Sequence, residues 1–157
     1  MKKSGESSSL LLENRKARFR YEIGETLECG IVLKGTEVKS LRAHQFSFND
    51  SYVRITKGEL FLAGFHISPY KFGTHENHEP ERVRKLLAHK KEIEKLSRKT
   101  AEKGYTLVPV KLYLKDSKVK VLVGVARGKK DFDKRASIKD RDMKKAVSRE
   151  LASRDRR

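Results

Sequence analysis

Regular alternation of apolar and polar residues carries this chain as far as Ala126 and stops there. From Arg127 onward 13 Lys and Arg stand against 6 Asp and Glu, and Phe132 is the one aromatic side chain. A segment of this kind cannot bury enough apolar surface to offset the entropy of ordering it. The fold must therefore be built upstream. The tail, residues 128–157, is expected to be disordered or weakly helical alone and to become ordered on something acidic. Ile138, Met143, Val147 and Leu151 fall close enough in phase to give it a narrow helical stripe, although an isolated helix of such composition is marginal.

The remaining charge points to the same kind of partner. The 157 residues carry a formal net charge of +17, and both ends are denser in positive charge than the middle. Net charge argues about partners and not about fold. A membrane surface could use basic tails, but neither end has the leucine and aromatic face of an interfacial helix. Nucleic acid is the better partner.

One domain is expected, over residues 14–127, behind a flexible leader at 1–13. The apolar run Leu10–Leu12 is followed by Glu13 and is too short for a signal-peptide core. No apolar run approaches the ~20 residues that span a bilayer. The single Cys29 excludes an internal disulfide and is compatible with a reducing cytoplasm; it reads as a small buried apolar residue.

Within the domain, Thr26–Leu33 reads as a strand and Gly35–Arg42 as a half-buried one, the two forming a bent hairpin. Tyr52–Thr56 and Glu59–Phe65, separated by Lys57-Gly58, form a clearer hairpin. A polar loop at 73–80 precedes Pro80, which suits the first turn of a helix. Val83, Leu86, Leu87, Ile93 and Leu96 recur at helical spacing up to a stop at Gly104, giving an amphipathic helix that would plug one end of a β structure. Tyr105–Lys115 and Lys118–Ala126 are the last strands, with Pro109 at an edge or a bulge. About six strands, one principal helix and two basic tails make the class mainly β: a small barrel of the oligonucleotide-binding type. A split barrel or an α+β sandwich would use the same elements.

Catalytic constellations are sparse. His75 and His78 lie on the polar loop, without a third ligand nearby to complete a metal site, and read as solvated histidines. No Gly-rich phosphate loop opens a helix, and no nucleophile and base stand at a telling spacing. Neither a cofactor, a metal nor an enzymatic activity is expected. Asn14–Tyr21 mixes guanidinium groups with two aromatics, a set that can pair with phosphates and stack on bases, or equally an ordinary basic strand. Glu28 sits in an apolar strand. In a basic protein such a carboxylate can accept from base amino groups, or it can simply face solvent.

The runs Glu28–Ala43, Asp50–Val53, Arg84–Leu87, Gly104–Thr106 and Val123–Lys130 with Asp133–Arg135 resemble the SmpB family, the SsrA-binding proteins of bacteria, in order and spacing from Asn14 to Arg141. The resemblance implies a non-enzymatic, cytoplasmic protein, monomeric when bound to RNA. It would bind the tRNA-like domain of transfer-messenger RNA and deliver it to stalled ribosomes for trans-translation. Carried over by position, the RNA-contacting residues are Asn14, Glu28, Leu87 and Lys120. The tail signature falls on Gly128, Lys129, Lys130, Phe132, Asp133, Lys134 and Arg135, implied to enter the decoding centre and the empty mRNA channel, with a helix from Ile138. Three positions depart from the family's habit: Thr36 where Trp is common, Phe132 where His is common, and Met143 where an aromatic is common. A ribosomal protein or RNA chaperone would share the charge and the barrel, but has no need of this tail signature.

Overall fold

The computed structural model describes residues 8–73 and 76–154, with the backbone alone described at Ser8 and at 131–133. Along the chain run β1 (Ser8–Glu13), α1 (Arg15–Arg20), β2 (Tyr21–Ile31), α2 (Gly35–Arg42) and β3 (Phe46–Ser47). There follow β4 (Tyr52–Thr56), β5 (Glu59–Ala63), β6 (His66–Ile67) and β7 (Arg84–Leu87). Last come α3 (Lys90–Thr100), β8 (Tyr105–Lys115), β9 (Lys118–Gly128) and α4 (Asp131–Arg154).

Two hairpins set the architecture, and turn chemistry sets the hairpins. Lys57 and Gly58 have φ of 51° and 74°, and Asp116 and Ser117 of 50° and 64°. Two consecutive left-handed residues give the turn whose twist matches paired strands. Thus β4 pairs with β5 from Tyr52↔Ala63 to Thr56↔Glu59, as expected, and β8 pairs with β9 from Tyr105↔Arg127 to Lys115↔Lys118. The latter register slips between Pro109 and Lys111, the bulge that proline imposes.

The strands join in the order β8-β4-β5-β7-β2-β9, and β9 returns to β8, closing an antiparallel barrel to whose open end of β8 strand β1 adds. Mainly β, as expected, the barrel is consistent with the oligonucleotide-binding type, although its ring holds six strands where that type usually holds five. Leu60, Leu62, Phe65, Leu112, Val121 and Val123 fill it without measurable exposure, together with the thiol of Cys29. Ile93 and Leu96, one turn apart on α3, close one end, as expected of the helix in this region.

Several local expectations are corrected. Residues 8–13 of the supposed leader are a strand, because Leu11 and Leu12 pack on the core while β1 satisfies the backbone of β8. Gly35–Arg42 is a helix and not a strand: Glu37, Ser40 and Leu41 are its buried residues, at i, i+3 and i+4. The misleading alternation arose because its deepest side chain is a charged one. Residues 84–87 are a strand between β5 and β2, so the helix begins only at Lys90; Val83, Leu86 and Leu87 matched a helical period by position alone. The tail is a helix over 24 residues, α4, the form its narrow apolar stripe allows.

The helix α2 is tied to the barrel by ions. Arg82 Nη2 donates to Glu37 Oε1 at 2.6 Å, Lys34 N donates to the same oxygen at 3.0 Å, and Arg84 Nε donates to Oε2. Arg84, itself fully buried, gives its other donors to the carbonyls of Phe65 (2.7 Å) and Pro80 (3.1 Å). Burial pushes the Glu37 carboxyl up, and the bonds from Arg84, Lys34 and Arg82 outweigh it and hold the group below its ordinary value. His78 is a correction too: it is buried, not solvated, with Nε2 2.9 Å from the Ile67 carbonyl and Nδ1 2.8 Å from the Thr36 hydroxyl. A carbonyl only accepts, so Nε2 donates, and the Thr36 hydroxyl, which can donate or accept, bonds to Nδ1. Thr36 thereby has a structural partner of its own. His75 lies outside the described residues.

Candidate nucleic-acid interface

Three neighbouring strands of the barrel wall converge on one groove. In β2 the fully buried Cys29 points inward, so Glu28 and Gly30 on either side of it point out. On one flank β9 pairs in the register Glu28↔Leu122 and Gly30↔Lys120, which brings Lys120 outward beside Gly30. On the other flank β7 pairs in the register Gly30↔Leu87; Leu86 enters the core and Leu87 is left 51% exposed. Glu28, Gly30, Leu87 and Lys120 line the groove together, with Ala88 and His89, which lead into α3, and Glu92 of its first turn at the edge. Space is tight at position 30: a Cβ there would lie 3.3 Å from that of Leu87, which would have to give by a few tenths of an ångström.

The chemistry of the groove is that of a held anion among cations. The Tyr113 hydroxyl donates to Glu28 Oε2 in a short contact, and Lys115 Nζ approaches Oε1 at 3.4 Å. That hydroxyl is the main reason the Glu28 carboxyl lies below its ordinary value; partial burial opposes it, and Lys115 and Lys120 add to it. Burial in turn pushes the Tyr113 phenol up, with Glu28 adding to the shift, so Tyr113 remains a donor. An apolar leucine, an ionised acceptor and a lysine on one open surface can together pack on a ribose or base, accept from a base edge and pair with a phosphate.

Of the residues carried over from the family, Glu28, Leu87 and Lys120 thus meet, and Asn14 stands apart. Asn14 is buried at the start of α1, where its Nδ2 donates to the Pro109 carbonyl at 2.8 Å and its Oδ1 accepts from Ala17 N at 3.1 Å. It caps α1 and pins that helix to the bulge in β8. The helix presents Arg15, Lys16, Arg18 and Arg20 as exposed residues, two of which are spoken for by Glu13 and Asp50 at 2.6 Å and 2.9 Å. Asn14–Tyr21 is neither a strand nor a free basic arm.

Tail residues form a second basic surface. Gly128 ends β9, Lys129 N donates to the Arg20 carbonyl at 2.9 Å, and Lys130 O accepts from Lys134 N at 3.1 Å. Lys129 Nζ reaches Ser137 Oγ at 2.9 Å, and the Arg141 guanidinium lies 5.5 Å from the centre of the Phe19 ring. Beyond these contacts Ile138, Met143, Val147 and Leu151 stay exposed on α4. The side chains of Phe132 and Asp133 lie outside the described residues; Lys134 and Arg135 fall in the first turns of the helix.

Reading the sequence missed Gly30, Tyr113 and Lys115. Period-two alternation in β8 puts Tyr113 on one face with Lys111 and Lys115, but which neighbour that face meets depends on the barrel register, which no local pattern carries. Among the described residues no cluster of three or more His, Cys, Asp or Glu could hold a metal, and no helix is long and apolar enough to cross a membrane.

Comparison with known proteins places this geometry. The family model described as SmpB protein matches residues 11–153. An SsrA-binding protein of Staphylococcus haemolyticus is 53% identical over 153 residues, 98% of each chain, and one of Listeria welshimeri is 52% identical over 145 residues, 92% of this chain and 94% of that one. A solved chain described as "tmRNA-SmpB: a journey to the center of the bacterial ribosome" is 52% identical and superimposes with a TM-score of 0.66 over 78% of this chain and 87% of its own. With a family match over residues 11–153 and relatives about half identical over nearly the whole chain, the chain belongs to the SmpB family.

Proposed function

We propose that this protein binds SsrA, the transfer-messenger RNA, through the tRNA-like domain, and delivers it to stalled ribosomes for trans-translation. The single observation that carries the reading is the convergence of Glu28, Leu87 and Lys120 on one groove from three different strands. Glu28 accepts from the RNA, Leu87 supplies an apolar contact, and Lys120 pairs with a phosphate. Asn14 contributes indirectly, by fixing α1 and its exposed basic residues at the side of the barrel. The protein acts without catalysis of its own, as a monomer on the RNA, in the cytoplasm where the ribosomes are. The α4 tail, led by Gly128–Arg135, engages ribosomal RNA at the decoding centre and lies along the empty mRNA channel. Its row of exposed cations supports that role.

The test separates reading from tethering. Glu28→Ala should weaken binding of the isolated tRNA-like domain by about 1–3 kcal/mol, the scale of a hydrogen bond to a charged group, without changing the dependence on salt. Lys120→Ala should instead lower the slope of log affinity against log salt by about one unit. Unchanged binding by a folded Glu28 variant would remove the specific role of the groove and leave a general RNA binder of the ribosomal or chaperone kind.

A further inference from the structure

We propose that Tyr113 is the positioning residue of the RNA-reading carboxylate: its hydroxyl fixes Glu28 in one orientation, so that the free lone pairs of both oxygens face an N–H edge of an unpaired base. The inference rests on the reading of Glu28 as an RNA contact and adds a residue that need not touch the RNA itself.

Geometry is the argument. Tyr113 pairs across β8 and β9 with Lys120, and Lys120 pairs across β9 and β2 with Gly30, so Tyr113 stands two strands away from the strand of Glu28. Two strand spacings are about 9–10 Å, a gap that a tyrosine leaning over β9 can close and shorter side chains cannot. Glu28 is partly exposed, its side chain at 37%, and an exposed glutamate left alone samples several rotamers and loses that freedom on binding. The Tyr113 bond removes the freedom beforehand. A carboxylate has about four acceptor positions; Tyr113 occupies one on Oε2 and Lys115 one on Oε1, which leaves one on each. Two acceptors side by side fit adjacent donors on a base edge better than they fit a phosphate, which has no proton to give.

The same bond sets the charge. Facing Glu28 are Tyr113 and Lys115 from β8, Lys120 from β9, and His89 and Glu92 at the start of α3, while the neighbouring Cys29 thiol is turned inward. With the Tyr113 hydroxyl removed, the largest influence that lowers the carboxyl is gone and its titration moves up toward the ordinary range. Binding needs the ionised form, so affinity is lost as pH falls through the Glu28 titration, and in a Tyr113→Phe variant that loss begins at higher pH.

The experiment measures affinity of the full chain for the in vitro transcribed tRNA-like domain, across pH and salt, in wild type, Tyr113→Phe, Glu28→Ala and the double variant. Tyr113→Phe keeps the ring and its packing. It should bind about 2- to 12-fold more weakly, the worth of one hydrogen bond, with an unchanged salt slope and an acid limb displaced to higher pH. In the Glu28→Ala background the same change should cost nothing, because Tyr113 acts through Glu28. Wild-type affinity and an unmoved acid limb for Tyr113→Phe, alongside a weakened Glu28→Ala, would overturn the positioning role and leave the proposed function standing. Equal losses in both backgrounds would overturn it as well. Indifference to Glu28→Ala would remove both readings together, and carboxyl carbon NMR of Glu28 in the folded variants reports its titration independently of RNA.

Discussion

At the residue scale, the most demanding group in the molecule is the buried pair of Glu37 and Arg84, both without exposure. Breaking a buried pair leaves a charge with no partner, which costs about 3–5 kcal/mol, whereas an apolar pair of similar volume is often tolerated. Arg84→Met should therefore lower the unfolding free energy by about that amount in a denaturant titration, and Glu37→Leu with Arg84→Met together should recover part of it. The pH dependence has a definite sign. The folded Glu37 carboxyl lies below its unfolded value, so its contribution is present above the unfolded titration and disappears as pH falls through the folded one. Stability should decline on acidification below about pH 4, and less steeply in a Glu37→Gln chain. The same pair explains why Gly35–Arg42 was hard to read as a helix. A buried glutamate breaks the binary code on which period is judged, since the code assigns charge to the outside.

Among the elements, those with their cause in adjacent residues were legible and those with a distant cause were not. Lys57-Gly58 announces the β4–β5 hairpin locally, and the structure places that pairing at the expected residues. Ile93 and Leu96 likewise mark the buried side of α3. By contrast β1 exists because β8 extends past β4 and offers an open edge, and β7 exists because β5 and β2 leave a place between them. Neither fact is written in residues 8–13 or 84–87. The groove divides in the same way: Glu28 stood out as a carboxylate in an apolar strand, while Tyr113 and Gly30 acquire meaning only through register. For α4, the root is held by Lys129 to the end of α1 and the remainder bears exposed apolar residues. Ending the chain after Gly128 should leave affinity for the isolated tRNA-like domain near normal and abolish peptide tagging on stalled ribosomes. A large loss of affinity for the isolated RNA would instead make the tail part of the first interface.

Over the whole molecule, the +17 charge is partitioned between a barrel that can recognise and a tail that can follow a polyanion. The barrel also hides its only sulfur nucleophile. Cys29 is fully buried between strands, and burial, helped by Glu92 and Glu28, pushes its thiol up to about 12. Thiolate is the reactive form, so a disulfide reagent should leave the native protein unmodified and react once with the unfolded chain. For spectroscopy this is an advantage in hand: a cysteine placed at exposed Met143 would be the one addressable thiol, ready to carry a fluorophore that follows the tail from free protein to ribosome without altering the native sequence elsewhere.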